Sequence, residues 1–255
     1  MSRSPVLVLI ISILSLCACE KGAEEDNVPV VLYDSVAYEA CLEVCDTSFN
    51  RNKTVAVFGG SISSMSQSEK AKNLWREHLG MKVVTFGVGS AGFVNPDNNI
   101  KMQIQRAGKF DIYILWCSTN DFTYDYPHTT VAMQNEKMNE CIDMLQTKNP
   151  QAKIYVFTSL KGFLNKGWTA LADFANGQMK VAQNRGLKYL NLYNLDYNTE
   201  ARASLFYQSD KVHPNSNGYY NFGWRILYFL ATEKMLASNF YPHISDISEL
   251  EPLKP

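Results

Sequence analysis

The segment Asp111-Ile112-Tyr113-Ile114-Leu115-Trp116 reads as a strand that is apolar throughout once past Asp111, with no polar residue alternating through it. A strand with one face in water alternates apolar and polar residues; one without alternation has both faces covered, as in parallel sheets layered between helices. That feature points the chain to an α/β architecture, and its neighbours agree. Thr54-Val55-Ala56-Val57-Phe58, ended by Gly59-Gly60, reads as a buried strand entering a tight turn. Lys82 to Phe86, Lys153 to Thr158 and Leu187 to Leu192 read as further strands. Helical patterns fall between them at Ser68 to Leu79, closed by Gly80, at Ile100 to Gly108, at Thr130 to Thr147 and at Trp168 to Asn184. A last helix starts near Ser216 or Asn217 and runs to about Ala237. Strands alternating with helices at this spacing predict βαβ units, hence a three-layer α/β/α sandwich around a mostly five-stranded parallel sheet.

The first residues bear on location. After Arg3, Val6 to Leu16 form an apolar run too short to cross a membrane and suited to a signal-peptide core. Leu16-Cys17-Ala18-Cys19 then resembles the bacterial lipobox, with Cys19 as the acylated residue. The expectation is a signal peptide over residues 1–18 and a cell-envelope protein, periplasmic or surface-facing, that meets the membrane through its lipid anchor only. Glu20 to Asp26 is polar and acidic, as a solvated tether should be, and Asp34 to Val44 reads as a short helix on the domain's flank. Residues 19–50 thus form tether and flank, 51–238 the main domain and 239–255 a tail. At 255 residues the chain suits one α/β domain.

With 19% charged residues, a formal net charge of −1 and no basic stripe, nothing here predicts a nucleic-acid partner. Four cysteines remain beyond Cys17 and Cys19. Cys41 and Cys45 would share one face of a helix, so a bridge between them, which an oxidising compartment favours, needs a break in that helix. Cys117 and Cys141 read as small buried hydrophobes. No spacing of cysteine and histidine suggests a metal site.

Ligands of such sheets bind at the carboxyl ends of the strands, so the loops there hold the chemistry. Four carry reactive types. Phe58-Gly59-Gly60-Ser61-Ile62-Ser63 follows the first strand, where two glycines permit a sharp turn that lifts a serine hydroxyl above the sheet. Neither a Gly-Lys-Ser/Thr sequence nor a full dinucleotide fingerprint accompanies it, which disfavours phosphate binding. Gly87 to Gly92 follows the second strand and brings backbone amides to the cleft. Cys117-Ser118-Thr119-Asn120-Asp121, a polar loop after the third strand, offers a side-chain amide as a fixed donor. Late in the chain, Asp210 precedes His213 by three residues, a spacing that lets a carboxylate hold one ring nitrogen while the other faces a nucleophile. Pro214 restricts His213 to an extended backbone.

These four blocks, in this order, resemble those of the SGNH (GDSL-like) hydrolases, and they span about two thirds of the chain. The resemblance implies the flavodoxin-like fold of that family and a serine esterase. It makes Ser61 the nucleophile, His213 the base and Asp210 its orienting carboxylate. The oxyanion hole would combine the Ser61 amide, the Asn120 side chain and one amide of the second block; Gly89, Ser90 and Gly92 all fit the register, Gly92 first and Gly89 close behind. No cofactor or metal is implied. The sequence departs from the family pattern twice, with Gly60 where an Asp is usual and Ser118 where a Gly is usual.

The expected substrate is an acylated small molecule or glycan, most simply an O-acetyl group on carbohydrate, a choice resting on the family and the export signal. Phe122, Tyr124 and Tyr126 would supply an aromatic wall for a sugar ring or acyl chain, or else cover the sheet edge. Lys161 to Trp168 is a second candidate rim. Two alternatives stay open: a lipase or thioesterase for longer acyl chains, and a carbohydrate-binding surface lipoprotein that has lost catalysis.

Overall fold

Five short strands, β1 (Thr54–Gly59), β2 (Lys82–Thr85), β3 (Ile112–Trp116), β4 (Lys153–Phe157) and β5 (Lys188–Leu190), pair in parallel in the order β2-β1-β3-β4-β5. This is the flavodoxin-like order. The computed structural model describes residues 35–125, 128–162, 168–194 and 206–235. The leader, Cys19, the tether, Tyr126, Phe163 to Gly167 and the tail 239–255 lie outside the described residues.

Eight α-helices among the described residues complete the body: α1 (Ser35–Asp46), α2 (Ser61–Ser64), α3 (Glu69–Leu79), α4 (Ile100–Arg106), α5 (Asn120–Asp125), α6 (Val131–Lys148), α7 (Trp168–Asn184) and α8 (Ser216–Thr232). The period of two along each strand sorts its side chains between two layers. Val55, Val57, Ile112, Ile114, Trp116, Tyr155 and Phe157 face α1, α3 and α8; Ala56, Phe58, Tyr113, Leu115, Ile154 and Val156 face α4, α6 and α7. Both cores are buried, which explains why β3 shows no polar alternation. Each fully buried aliphatic or aromatic side chain contributes about 1.5–3 kcal/mol by leaving water.

Helix ends follow local chemistry. Asn99, Thr130 and Asn215 accept from the backbone of the first turn of α4, α6 and α8, and Gly80 ends α3 with a left-handed φ of 61°. Strands and long helices match the sequence reading to within a few residues. Two short helices depart from it: α2 and α5 occupy segments that read as loops, because four- and six-residue helices are too short to show a period. The α1 helix is unbroken through Cys41 and Cys45, which are free, buried thiols on one face of it, so the bridge that needed a break is not formed. Cys117 and Cys141 sit in the second core as expected. Among the described residues no helix is long and apolar enough to cross a membrane.

Ile114 is fully buried at the centre of β3. Replacing Ile114 with Ala should cost about 2–5 kcal/mol of stability. Chemical denaturation should show a lower midpoint with an unchanged slope.

Candidate active site

Gly59 ends β1, Gly60 caps α2, and Ser61 is the first residue of that helix. The turn does not use the glycines as the sequence suggests. Neither takes a left-handed φ, and Gly60 is extended at φ −90° and ψ −155°. Crowding is what excludes a side chain. A Cβ on Gly60 would stand 2.6 Å from Asn120 Nδ2 and 2.7 Å from the Ala91 carbonyl oxygen, and one on Gly59 would collide with the Trp116 carbonyl. Ser63 closes the turn, its N–H and hydroxyl donating to the Gly60 carbonyl at 3.1 and 2.9 Å.

His213 lies in a turn held from both sides. The Gln208 N–H donates to the His213 carbonyl at 2.7 Å, the Lys211 N–H donates to the Gln208 carbonyl at 2.8 Å, and Tyr207 and Pro214 form an antiparallel bridge. Asp210 Oδ1 accepts from the Val212 and His213 amides, each at 2.9 Å. Its Oδ2 lies 2.6 Å from His213 Nδ1, and His213 Nε2 lies 2.8 Å from Ser61 Oγ. A carboxylate only accepts, so Nδ1 carries the ring proton and the Nε2 lone pair faces the serine hydroxyl. Burial pushes the Asp210 carboxyl up, but the His213 ring and the two amides outweigh it and hold the group below its ordinary range. The N-cap of the following helix is Asn215, which leaves the imidazole free of that duty. From α8, Tyr219 donates its hydroxyl to the Ile62 carbonyl at 2.9 Å, tying this helix to α2.

The Asn120 side chain reaches the nucleophile turn at Gly60, with Nδ2 donating to the Ala91 carbonyl at 2.9 Å. One amide hydrogen is thereby taken and the plane of the group is set, leaving the second hydrogen for a ligand. The same contact corrects the expectation for Gly92. The Ala91 carbonyl faces Gly60 and Asn120, and a trans peptide points its N–H the opposite way, so the Gly92 amide is turned from the nucleophile. Gly92 is instead buried against the Asp121 carboxylate. Gly89 and Ser90 are exposed at the loop's rim, and Ser90 takes a left-handed φ of 62°.

The aromatic wall is also revised. Phe122 is buried under α7, its ring 5.8 Å from that of Phe174 and against Leu171, because α5 turns it inward. The backbone of Tyr124 lies in α5. Its side chain, like all of Tyr126, falls outside the described residues. Among the described residues no group of three or more His, Cys, Asp or Glu side chains could hold a metal ion.

A serine, a histidine and a carboxylate in one hydrogen-bonded line at the carboxyl edge of a parallel sheet define the class of serine hydrolases. Residues 57–220 match the model of the GDSL-like lipase/acylhydrolase family, so the chain belongs to that family and is an SGNH-type serine ester hydrolase. Solved structures share the fold. An acetylxylan esterase from Geobacillus stearothermophilus is 14% identical, with a TM-score of 0.58 over 75% of this chain and 99% of its own. A lipase/acylhydrolase from Enterococcus faecalis is 16% identical, with a TM-score of 0.56 over 72% of this chain and 99% of its own. A protein from Lactobacillus plantarum is 16% identical, with a TM-score of 0.60 over 74% and 99%. No curated protein matches the sequence.

Two buried side chains support the site without having been singled out in the sequence. Gln103 clamps Gly59, accepting from its N–H at 2.9 Å and donating to its carbonyl at 3.0 Å. Its signal was available, a polar residue between Ile100 and Ile104 on the apolar face of α4. Asp121 follows Asn120 and braces the neighbouring loop, with Oδ1 accepting from the Phe93 and Val94 amides at 2.6 and 2.9 Å. Burial pushes its carboxyl up to about 6 against the pull of those two amides, and Oδ2 has no partner. An unfolded carboxyl of this type titrates near ~3.9, so the native state keeps its proton to higher pH than the unfolded chain. Stability therefore falls as pH rises between those values, by at most roughly 3 kcal/mol. Asp121→Asn keeps an acceptor for both amides and should flatten this slope. Thermal melts between pH 4 and 7 check it, and an unchanged slope in the variant would count against the assignment.

Proposed function

We propose that this chain removes O-acyl groups, acetyl first among them, from carbohydrate by a two-step serine mechanism, while anchored in the cell envelope by a lipid on Cys19. The observation that carries the mechanism is the unbroken line Asp210–His213–Ser61, with contacts of 2.6 and 2.8 Å. His213 Nε2 takes the Ser61 proton as Oγ attacks the ester carbonyl. The tetrahedral oxyanion receives the Ser61 amide, the free Asn120 hydrogen and a third donor from Gly89 or Ser90. His213 then returns the proton to the leaving alcohol oxygen as the C–O bond breaks, which frees the sugar hydroxyl and leaves acyl-Ser61. Water, deprotonated by the same nitrogen, hydrolyses this ester to a carboxylic acid and restores the hydroxyl. Asp210, held anionic, keeps the ring in the correct tautomer and stabilises the imidazolium formed on the way.

The acetyl and carbohydrate parts rest on the acetylxylan esterase among the structural neighbours and on the export signal in the sequence. Half-exposed Asp210 and His213 suit a bulky polymeric alcohol at the site, their side chains being 45% and 27% open to solvent.

A serine-directed phosphonate should label the wild-type protein and neither Ser61→Ala nor His213→Ala, with turnover in both variants reduced on the order of 10⁴-fold or more. A folded wild-type protein that resists labelling would point instead to a binding lipoprotein. On p-nitrophenyl esters, rates should be highest for acetate and fall with chain length; a maximum at long chains would make the enzyme a lipase. For the anchor, Cys19→Ala should move the protein from the membrane fraction to the soluble one, and retention on membranes would remove that part of the proposal.

A further inference from the structure

Gly60 and Ser118 are the two positions where the chain departs from its family's pattern, and they are neighbours in space. A Cβ on Gly60 would stand 2.9 Å from the Ser118 Cβ, closer than such atoms come. In this packing position 60 has no room for a side chain, while Ser118 carries one and is 3% exposed. Its hydroxyl donates to the Ala91 carbonyl at 2.8 Å and accepts from the Asn120 backbone N–H at 3.3 Å. That carbonyl is also the acceptor for Asn120 Nδ2.

We propose that Ser118 is a positioning residue of this esterase: its hydroxyl locks the Ala91 carbonyl to the Asn120 backbone, so that the Asn120 amide is held with one hydrogen aimed beside Ser61. The inference rests on the oxyanion role given to Asn120 above. Bare Gly60 supplies the room for this clamp, because a side chain there would press on Asn120 Nδ2, the Ala91 carbonyl and Ser118 together.

The clamp stands on a rigid base. The Ser118 carbonyl accepts from the Ser159 hydroxyl at 2.9 Å, the Ser159 N–H donates to Gln178 Oε1 at 2.9 Å, and Gln178 Nε2 donates to Gln134 Oε1 at 2.9 Å. Ser159, Gln178 and Gln134 are fully buried. A buried, satisfied polar network of this kind holds its members in one arrangement. Position 118 is thereby fixed to the end of β4 and to α6 and α7, and its hydroxyl passes that fixity to a donor that must be in place before charge develops.

The test uses the full chain and four variants, Ser118→Ala, Ser118→Gly, Asn120→Ala and Gly60→Ala, with rates expressed per phosphonate-titratable site. Asn120→Ala should lower kcat by about 10²–10³-fold, the effect of losing an oxyanion donor. Ser118→Ala keeps the Cβ and loses only the clamp, so kcat should fall about 10-fold or more while KM stays within about twofold. A boronic acid that forms a tetrahedral adduct on Ser61 should weaken in parallel with kcat, which loss of stability alone would not produce. Ser118→Gly should act in the same direction. Should it fold poorly, Ser118→Ala decides the matter. Thermal melts add a readout independent of turnover: Gly60→Ala should lower Tm less in the Ser118→Gly protein than in the wild type.

The proposal is overturned if the Ser118 variants keep wild-type kcat per site while Asn120→Ala loses it, or if their only effect is on Tm. A wild-type protein without turnover would instead overturn the esterase reading and this inference with it.

Discussion

Ser61 Oγ and His213 Nε2 are 2.8 Å apart and 152 residues apart in sequence. A contact across that separation persists only if the structure on both sides restrains it, since each partner must give up its freedom to hold the other. On one side β1 is sandwiched in the sheet between β2 and β3, and its last residue is pinned by Gln103. On the other, α8 packs along α3, and Tyr219 reaches from it to the carbonyl of Ile62, one residue past the nucleophile. The short turn bearing Asp210 and His213 is attached to the start of α8, so the helix carries the imidazole to the serine as a unit.

The polar parts of the site are bought with buried polar groups that would otherwise be costly. Gln103, Gln134, Gln178, Ser159 and Ser118 are all buried, and each has hydrogen-bond partners, as buried polar atoms require. Asp121, beside them, differs: its Oδ2 is unpartnered and its carboxyl is raised by burial. Such a group lowers stability at neutral pH in exchange for fastening the loop after β2 to the loop after β3. That fastening ties together two of the loops at the carboxyl edge of the sheet.

Membership of the GDSL-like lipase/acylhydrolase family and the shared fold of several solved structures agree with this geometry. Two close approaches shape the site in this chain. Gly60 leaves the nucleophile turn bare, Ser118 fills the gap from the loop after β3, and Ser90 takes a left-handed φ. In this chain the sheet holds hydroxyl, imidazole and carboxylate in one line with these residues in place.

Much of the architecture is written in local pattern. Apolar β3, the β-branched run of β1, Gly80 at the end of α3 and the capping side chains are decided by neighbours in sequence, and they are legible there for that reason. The order of the four blocks also points to Ser61, Asn120, Asp210 and His213 before any coordinates, and the fold brings Ser61, His213 and Asp210 into one hydrogen-bonded line. What the sequence could not contain is direction. Whether Phe122 faces a substrate or α7, which way the Ala91–Gly92 peptide turns, and whether Gly60 is glycine for its torsions or for want of room all depend on residues distant in the chain. Those are properties of packed surfaces meeting across the sheet edge, and only the tertiary structure decides them.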